Sequence, residues 1–230
     1  MQKSSPGDFE IDRKFAEGPY AVVVSSHRAA DQGTYALKLF GYKQGFPKDD
    51  WILREAEYLK SLRGLRGAVQ LAAVFNDTKD GILPDTAKTH LMRYPVIVME
   101  RLTGGSLESL LEQKTARGES LTEGQAALIF RNLIVALHEV HVRANLIHCN
   151  LKTLNVYFSP LNDSFPTKLV DFGFSVALYH RDEHYGYDSL TGGRVMTEFT
   201  PDYLAPETLE EYDLSGGTVF SRKTGQLCIL

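Results

Sequence analysis

The sequence predicts an α+β fold in which a small antiparallel sheet with one helix precedes a mainly helical region. Three observations carry that reading. Residues 9–40 are dense in β-branched and aromatic side chains and are broken by a turn signal, "DQG" at 31–33. Residues 51–65, "WILREAEYLKSLRGL", place Ile52, Ala56 and Leu59 at helical spacing, which makes one buried stripe. Further on, Thr122 with Gln125 forms a capping-box start to a second long helix, whose apolar face is Ile129, Leu133, Leu137 and Val140.

Taken in order, the first stretch divides into three strands, "FEIDRKFAEG", "PYAVVVSSHRA" and "TYALKLF". The amphipathic helix follows. Two apolar stretches, "AVQLAAVF" and "PVIVMERL", flank the polar insert "NDTKDGILPDTAKTHLMRY", which reads as a surface loop. After "TGGS" comes a helix, "SLESLLEQ", and then the capped helix delivers the chain to "LIHCNLKTLN" at 146–155. Beyond it lie a short run of Val156, Tyr157 and Phe158, the polar loop "SPLNDSFPT", and "LVDFG" at 169–173.

A chain of 230 residues, 43% hydrophobic, can bury a sizeable core. Its formal net charge of −4 leaves no footprint for nucleic acid or an anionic membrane. Cys149 and Cys228 make neither a disulfide framework nor a metal-type spacing, so a reducing compartment is expected. The start "MQKSSPGDFE" is too polar for a signal peptide, and no apolar run approaches the roughly 18 to 20 residues that span a bilayer. The ending "LCIL" puts cysteine third from the end, where a prenylation signal wants it fourth. A cytoplasmic or nuclear protein is the expectation.

The chemistry gathers at 146–173. Neighbouring strands or turns would bring Lys152, Asn155 and Asp171 into one cleft. An ammonium, an amide and a carboxylate together suit a polyphosphate carrying Mg²⁺, because the cation neutralises phosphate oxygens while the other two supply hard oxygen ligands.

Here the sequence resembles the protein kinase family, serine/threonine-like. "HCNLKTLN" is similar to the catalytic-loop pattern H-R-D-L-K-x-x-N, and "DFG" matches outright. The resemblance implies a two-lobed protein kinase-like fold over 9–230 after a tail at 1–8, with an N-lobe at about 9–100, a hinge at 100–105 and a partial, helical C-lobe at 106–230. It implies ATP and Mg²⁺ as cofactors, with Asn155 and Asp171 as metal ligands. Lys38 in "YALK" takes the place of the lysine that contacts the α- and β-phosphates, and Glu55, 55 − 38 = 17 positions on, would pair with it. Glu57 points away from the helix stripe. Met99 would be the gatekeeper and Glu100 to Leu102 the segment that meets the adenine edge. Ala36, just before Lys38, belongs to the same strand motif. His148 and Phe172 match residues that pack with Leu59 into a column in the family.

Several positions depart from the pattern. Aligned on Val23, the Gly-rich loop keeps only Gly18, with Ala16 and Ala21 at the outer glycine positions, so phosphate should be cradled less well. Tyr157 stands where a leucine beneath adenine is usual, and its larger ring would narrow that pocket. Cys149 replaces the arginine that pairs with a phosphorylated activation segment, which leaves Thr191 and Thr197 without that partner. Most consequential is Asn150, at the position of the proton-accepting aspartate. Lys152 and Thr200 before Pro201 are of serine/threonine type, and "TPDYLAPE" matches through Ala205, Pro206 and Glu207 although Phe199 replaces a glycine. From 208 onward the likeness fails, and a truncated gene model or splice product is the expected explanation.

Three functions remain open on this reading. The first is a pseudokinase that binds Mg-ATP, transfers phosphate weakly or not at all, and acts through a protein partner. The second is an active serine/threonine kinase with a protein substrate, using Asn150 only for orientation. The third is a truncated, non-functional product. No nucleic acid or membrane partner is expected in any of them.

Overall fold

The computed structural model describes residues 8–18, 21–40, 49–75, 95–159, 164, 166–177 and 203. The insert at 76–94, most of the segment from 178 onward and the Ala205–Glu207 match lie outside the described residues. The chain divides into two compact units, Met1–Arg63 with Val69–Leu102, and Gly64–Ala68 with Thr103–Leu230.

The first unit holds a five-stranded sheet of order β1-β2-β3-β5-β4, antiparallel at every pairing. Its strands are β1 (Phe9–Glu17), β2 (Ala21–Arg28), β3 (Gly33–Phe40), β4 (Leu71–Phe75) and β5 (Val96–Glu100). Because side chains alternate along a strand, central β3 presents two different faces. Leu37 and Leu39 join Phe9, Val24, Val96 and Val98 in one buried cluster, with Tyr35 packed against it. Ala36, Lys38 and Phe40 occupy the other face and are buried as well. Toward that face comes α1 (Asp49–Ser61), whose Trp51 ring meets Phe40 edge-on at 6.3 Å.

Ile52, Ala56 and Leu59 are fully buried, as their spacing requires. The helix stops at Ser61, short of the expected Leu65, because Gly64 turns the chain at φ +81°. Leu62 and Leu65 are buried nonetheless.

In the second unit, α2 (Leu107–Ala116) starts from Ser106, whose hydroxyl accepts a hydrogen bond from the Ser109 N–H at 3.1 Å. The long helix α3 (Glu123–Ala144) opens with the full capping box, Thr122 and Gln125 bonding reciprocally, and ends at Asn145 in the left-handed region. Ile129, Leu137 and Val140 are buried as expected and Ala136 joins them, while Leu133 of the expected face is only partly buried. Ala136 matters because Gly67 lies against it, the Gly67 N–H donating to Glu139 Oε2 at 2.8 Å. The Gly67 carbonyl in turn accepts from the Leu169 N–H at 2.8 Å. Residues 64–68 are thereby clamped between α3 and β8 (Thr167–Leu169), which pairs with β7 (Val156–Phe158). A second short pair joins β6 (Leu146–Ile147) to β9 (Val176–Ala177).

Candidate functional site

In the first unit, β3 and α1 place Lys38 and Glu55 side by side. Lys38 Nζ lies 2.7 Å from one Glu55 carboxylate oxygen and 2.9 Å from the other. Both residues are buried, at 8% and 1% exposure, so the pair is formed in a low-dielectric setting. Glu57 instead pairs with Lys60 at the surface. Val23 is the register partner of Lys38, and Ala36 is that of the buried Met99.

Glu100 closes β5, its N–H donating to the Gln70 carbonyl at 3.0 Å and its carboxylate accepting from the Gln70 N–H at 2.8 Å. Leu102 is 6% exposed, and no described residue accepts its N–H. Gly18 donates to the Ala21 carbonyl at 2.8 Å across the β1–β2 hairpin. Neither Ala16 nor Ala21 has positive φ, so their Cβ atoms impose no backbone strain.

In the second unit, the β7–β8 register sets Val156 opposite Leu169, which draws the residues on either side together. The Val170 N–H donates to the Asn155 carbonyl at 3.1 Å. Asn155, 6% exposed, donates its side-chain amide to the Asn150 carbonyl at 2.7 Å. Asn150 donates its own amide to Asp171 Oδ2 at 2.9 Å. Since an ionised carboxylate and a carbonyl only accept, both amides are fixed donor-inward, and each keeps its Oδ1 as an acceptor. Lys152 is partly exposed and starts the 3₁₀ turn Thr153–Asn155, its carbonyl accepting from the Asn155 N–H at 2.8 Å.

Two residues here hold conformations that L side chains seldom adopt. Cys149 has φ 58° and Asp171 has φ 65°, which costs on the order of 1–3 kcal/mol each and is maintained only by over-determined surroundings. Sequence reasoning missed both, since neither is a glycine. His148 is the nearest source of rigidity: it is fully buried, and its ring meets Phe172 at 4.8 Å. The Asn150 N–H donates to His148 Nδ1 at 3.2 Å, so Nε2 carries the proton and donates to the Val170 carbonyl at 2.9 Å. Burial pushes this ring below the usual histidine range, in keeping with that neutral tautomer. Cys149 is buried and in no disulfide, and Tyr157 lies on β7, bridged through its backbone to Ser106. Leu59 of the expected column is buried in the first unit.

The donor set suits magnesium better than a metal with an all-protein cage. Among the described residues no group of three or more His, Cys, Asp or Glu could hold an ion. One carboxylate and one amide oxygen, with phosphate completing the shell, is the pattern Mg²⁺ takes.

These features define a protein kinase domain: the family model of that description matches residues 9–221, and the chain belongs to it. Among its relatives, it is 30% identical over 201 residues to serine/threonine-protein kinase D2 of Homo sapiens, covering 86% of this chain and 19% of that protein. It is 27% identical over 204 residues to calcium-dependent protein kinase 12 of Oryza sativa subsp. japonica, covering 88% and 33%. A similar match joins it to death-associated protein kinase dapk-1 of Caenorhabditis elegans, 27% over 221 residues, covering 91% and 13%. The chain spans a third or less of the length of these three relatives.

Proposed function

We propose that this chain is a protein kinase domain of serine/threonine type that binds Mg-ATP, transfers phosphate weakly or not at all, and works through contacts with a protein partner in the cytoplasm or nucleus. The observation that carries this reading is the hydrogen bond from Asn150 Nδ2 to Asp171 Oδ2. At the family's proton-accepting position stands a neutral amide, turned donor-first toward the acid that the family uses for metal. Its Oδ1 can accept a hydrogen bond from a substrate hydroxyl but takes up no proton near neutral pH. Loss of a general base costs about 10²- to 10⁴-fold, or roughly 3 to 5 kcal/mol of barrier.

Nucleotide binding has the better support, because the Lys38–Glu55 pair is formed and the Leu102 N–H is open among the described residues. Lys38 would contact phosphate and Asn155 with Asp171 would hold the metal. Bound Mg²⁺ supplies charge neutralisation at the phosphates. Lys152 would steady the transferred group, and the names of relatives such as serine/threonine-protein kinase D2 favour a protein hydroxyl as any acceptor.

A second reading, an active kinase, draws on the retained Asn150 Oδ1 and on the loose character of phosphoryl transfer, in which little deprotonation is needed early. Thermal shift with Mg-ATP, lost in Lys38→Ala or Asp171→Ala, tests binding. Radiolabelled phosphotransfer by wild type and Asn150→Asp then divides the readings. Equal, robust rates in the two proteins would defeat the pseudokinase reading.

A further inference from the structure

Asn150 is held from three directions within the second unit. Its N–H donates to His148 Nδ1 at 3.2 Å, and its carbonyl accepts from Asn155 Nδ2 at 2.7 Å. With the backbone pinned on both sides, the side chain reaches Asp171, and Nδ2 donates to Oδ2 at 2.9 Å. The amide cannot face the acid the other way round, because Oδ1 would then set one acceptor against another. Asp171 is thus met by a neutral donor. Among Asn150, Lys152, Asn155 and Asp171 the ammonium offsets the carboxylate, so the four carry no net formal charge. An aspartate at 150 would leave one negative charge in excess.

We infer that Asn150 lets this chain take up a nucleoside triphosphate free of any divalent cation, with Mg²⁺ adding only modestly to its affinity. The inference rests on the nucleotide-binding reading above and concerns the form of the nucleotide. Two effects act in the same direction. The first is charge: at an effective dielectric of about 20, a carboxylate about 5 Å from a phosphate oxygen weakens its binding on the order of a hundredfold, and the amide removes that repulsion. The second is occupancy. Asp171 Oδ2 already accepts a hydrogen bond, so an entering cation must share or displace a contact to a charged group and gains less from that oxygen. Asn150 is a positioning residue in this scheme, acting on the phosphates through Asp171.

The test is calorimetric titration of the full 230-residue chain with ATP, once in EDTA and once in excess Mg²⁺, for wild type, Asn150→Asp and Asn150→Ala. Far-UV circular dichroism at the titration temperature verifies that each protein is folded in both buffers. Wild type should bind ATP in EDTA within about tenfold of its affinity in Mg²⁺. Asn150→Asp should widen that ratio to about a hundredfold or more, chiefly through weaker binding in EDTA. Asn150→Ala frees Asp171 Oδ2 without adding a charge and should widen it to an intermediate value; it alone decides should Asn150→Asp unfold in EDTA. A wild-type ratio above about tenfold, or a folded variant whose ratio stays at the wild-type value, overturns the assignment while leaving nucleotide binding intact. Absence of ATP binding by wild type in both buffers overturns the nucleotide reading and this assignment with it.

Discussion

Lys38 Nζ reaches both carboxylate oxygens of Glu55, at 2.7 and 2.9 Å, with almost no water around either group. Such a pair contributes little net stability when whole, but halving it leaves a buried charge without its bidentate partner. Lys38→Met and Glu55→Gln should each destabilise the first unit by about 3–5 kcal/mol, and the double variant Lys38→Met/Glu55→Leu should recover most of that loss. Trp51, the single tryptophan, packs on Phe40 of the same strand as Lys38 and reports this unit's unfolding in urea. A single variant that costs under about 1 kcal/mol would show that the pair is solvated rather than buried.

Asn150 allows a sharper experiment. Replacing it by aspartate swaps an amide donor for a second carboxylate facing Asp171 Oδ2, so a hydrogen bond to a charged group worth about 1.5–3 kcal/mol gives way to repulsion. Asn150→Asp should therefore lower the melting temperature without divalent cation, and Mg²⁺ should recover more of it than in wild type. Matching melting temperatures in EDTA would contradict the 2.9 Å contact.

Much of this was legible beforehand, and the reason differs from part to part. Strand and helix stripes follow from burial periodicity, so Ile52, Ala56, Leu59, Ile129 and Val140 were readable from spacing alone. The capping box was equally local, Thr122 and Gln125 being three residues apart. Lys38–Glu55 was found only through the family pattern, since nothing local links positions 17 apart. The Arg101 guanidinium, stacked 3.9 Å from the Phe15 ring centroid, was missed because the contact joins β1 to the residue after β5, and the only local clue was a cation amid the apolar run "PVIVMERL". Positive φ at Cys149 and Asp171 left no trace, because non-glycine residues reach that region only under tertiary constraint.

Histidines give the fold a pH dependence with a definite sign. His148 and half-buried His141 are both held below the usual range, chiefly by burial, so they stay neutral in the fold while the unfolded chain protonates them below about pH 6.5. Their contribution is present above that pH and is lost as pH falls, by up to about 1.4 kcal/mol per pH unit for the fully buried His148 and by less for His141, which solvent screens. His27 acts oppositely: its hydrogen bond to Asp12, aided by Glu10, raises its pKa, so its stabilisation is full at low pH and is lost as pH rises. At 45% side-chain exposure that effect is small. Asp31, held below the usual carboxylate range by Arg28 and then by Tyr35 and Gly33, adds no slope between pH 5 and 7. Urea midpoints should fall from pH 7 to pH 5 and fall more steeply in His27→Gln. A flat or rising midpoint over that interval would contradict a neutral, buried His148.

Among the described glycines of the second unit, Gly67 is the most tightly packed. A Cβ added there would lie 2.4 Å from Ala136 Cα and 2.6 Å from Ala136 Cβ, distances that force backbone apart. Gly67→Ala should destabilise by about 1–3 kcal/mol through overpacking. Removing the opposing methyl in Gly67→Ala/Ala136→Gly should not rescue it, because the closer clash is with Cα and because glycine inside a helix costs about 1 kcal/mol more. The local readout is the Leu169 amide, which donates to the Gly67 carbonyl at 2.8 Å and should exchange with deuterium faster once α3 and residues 64–68 separate. Unchanged Leu169 exchange in Gly67→Ala would mean that α3 yields without disturbing β8, and the clamp that leads the chain from β8 to Asp171 would then have to lie elsewhere.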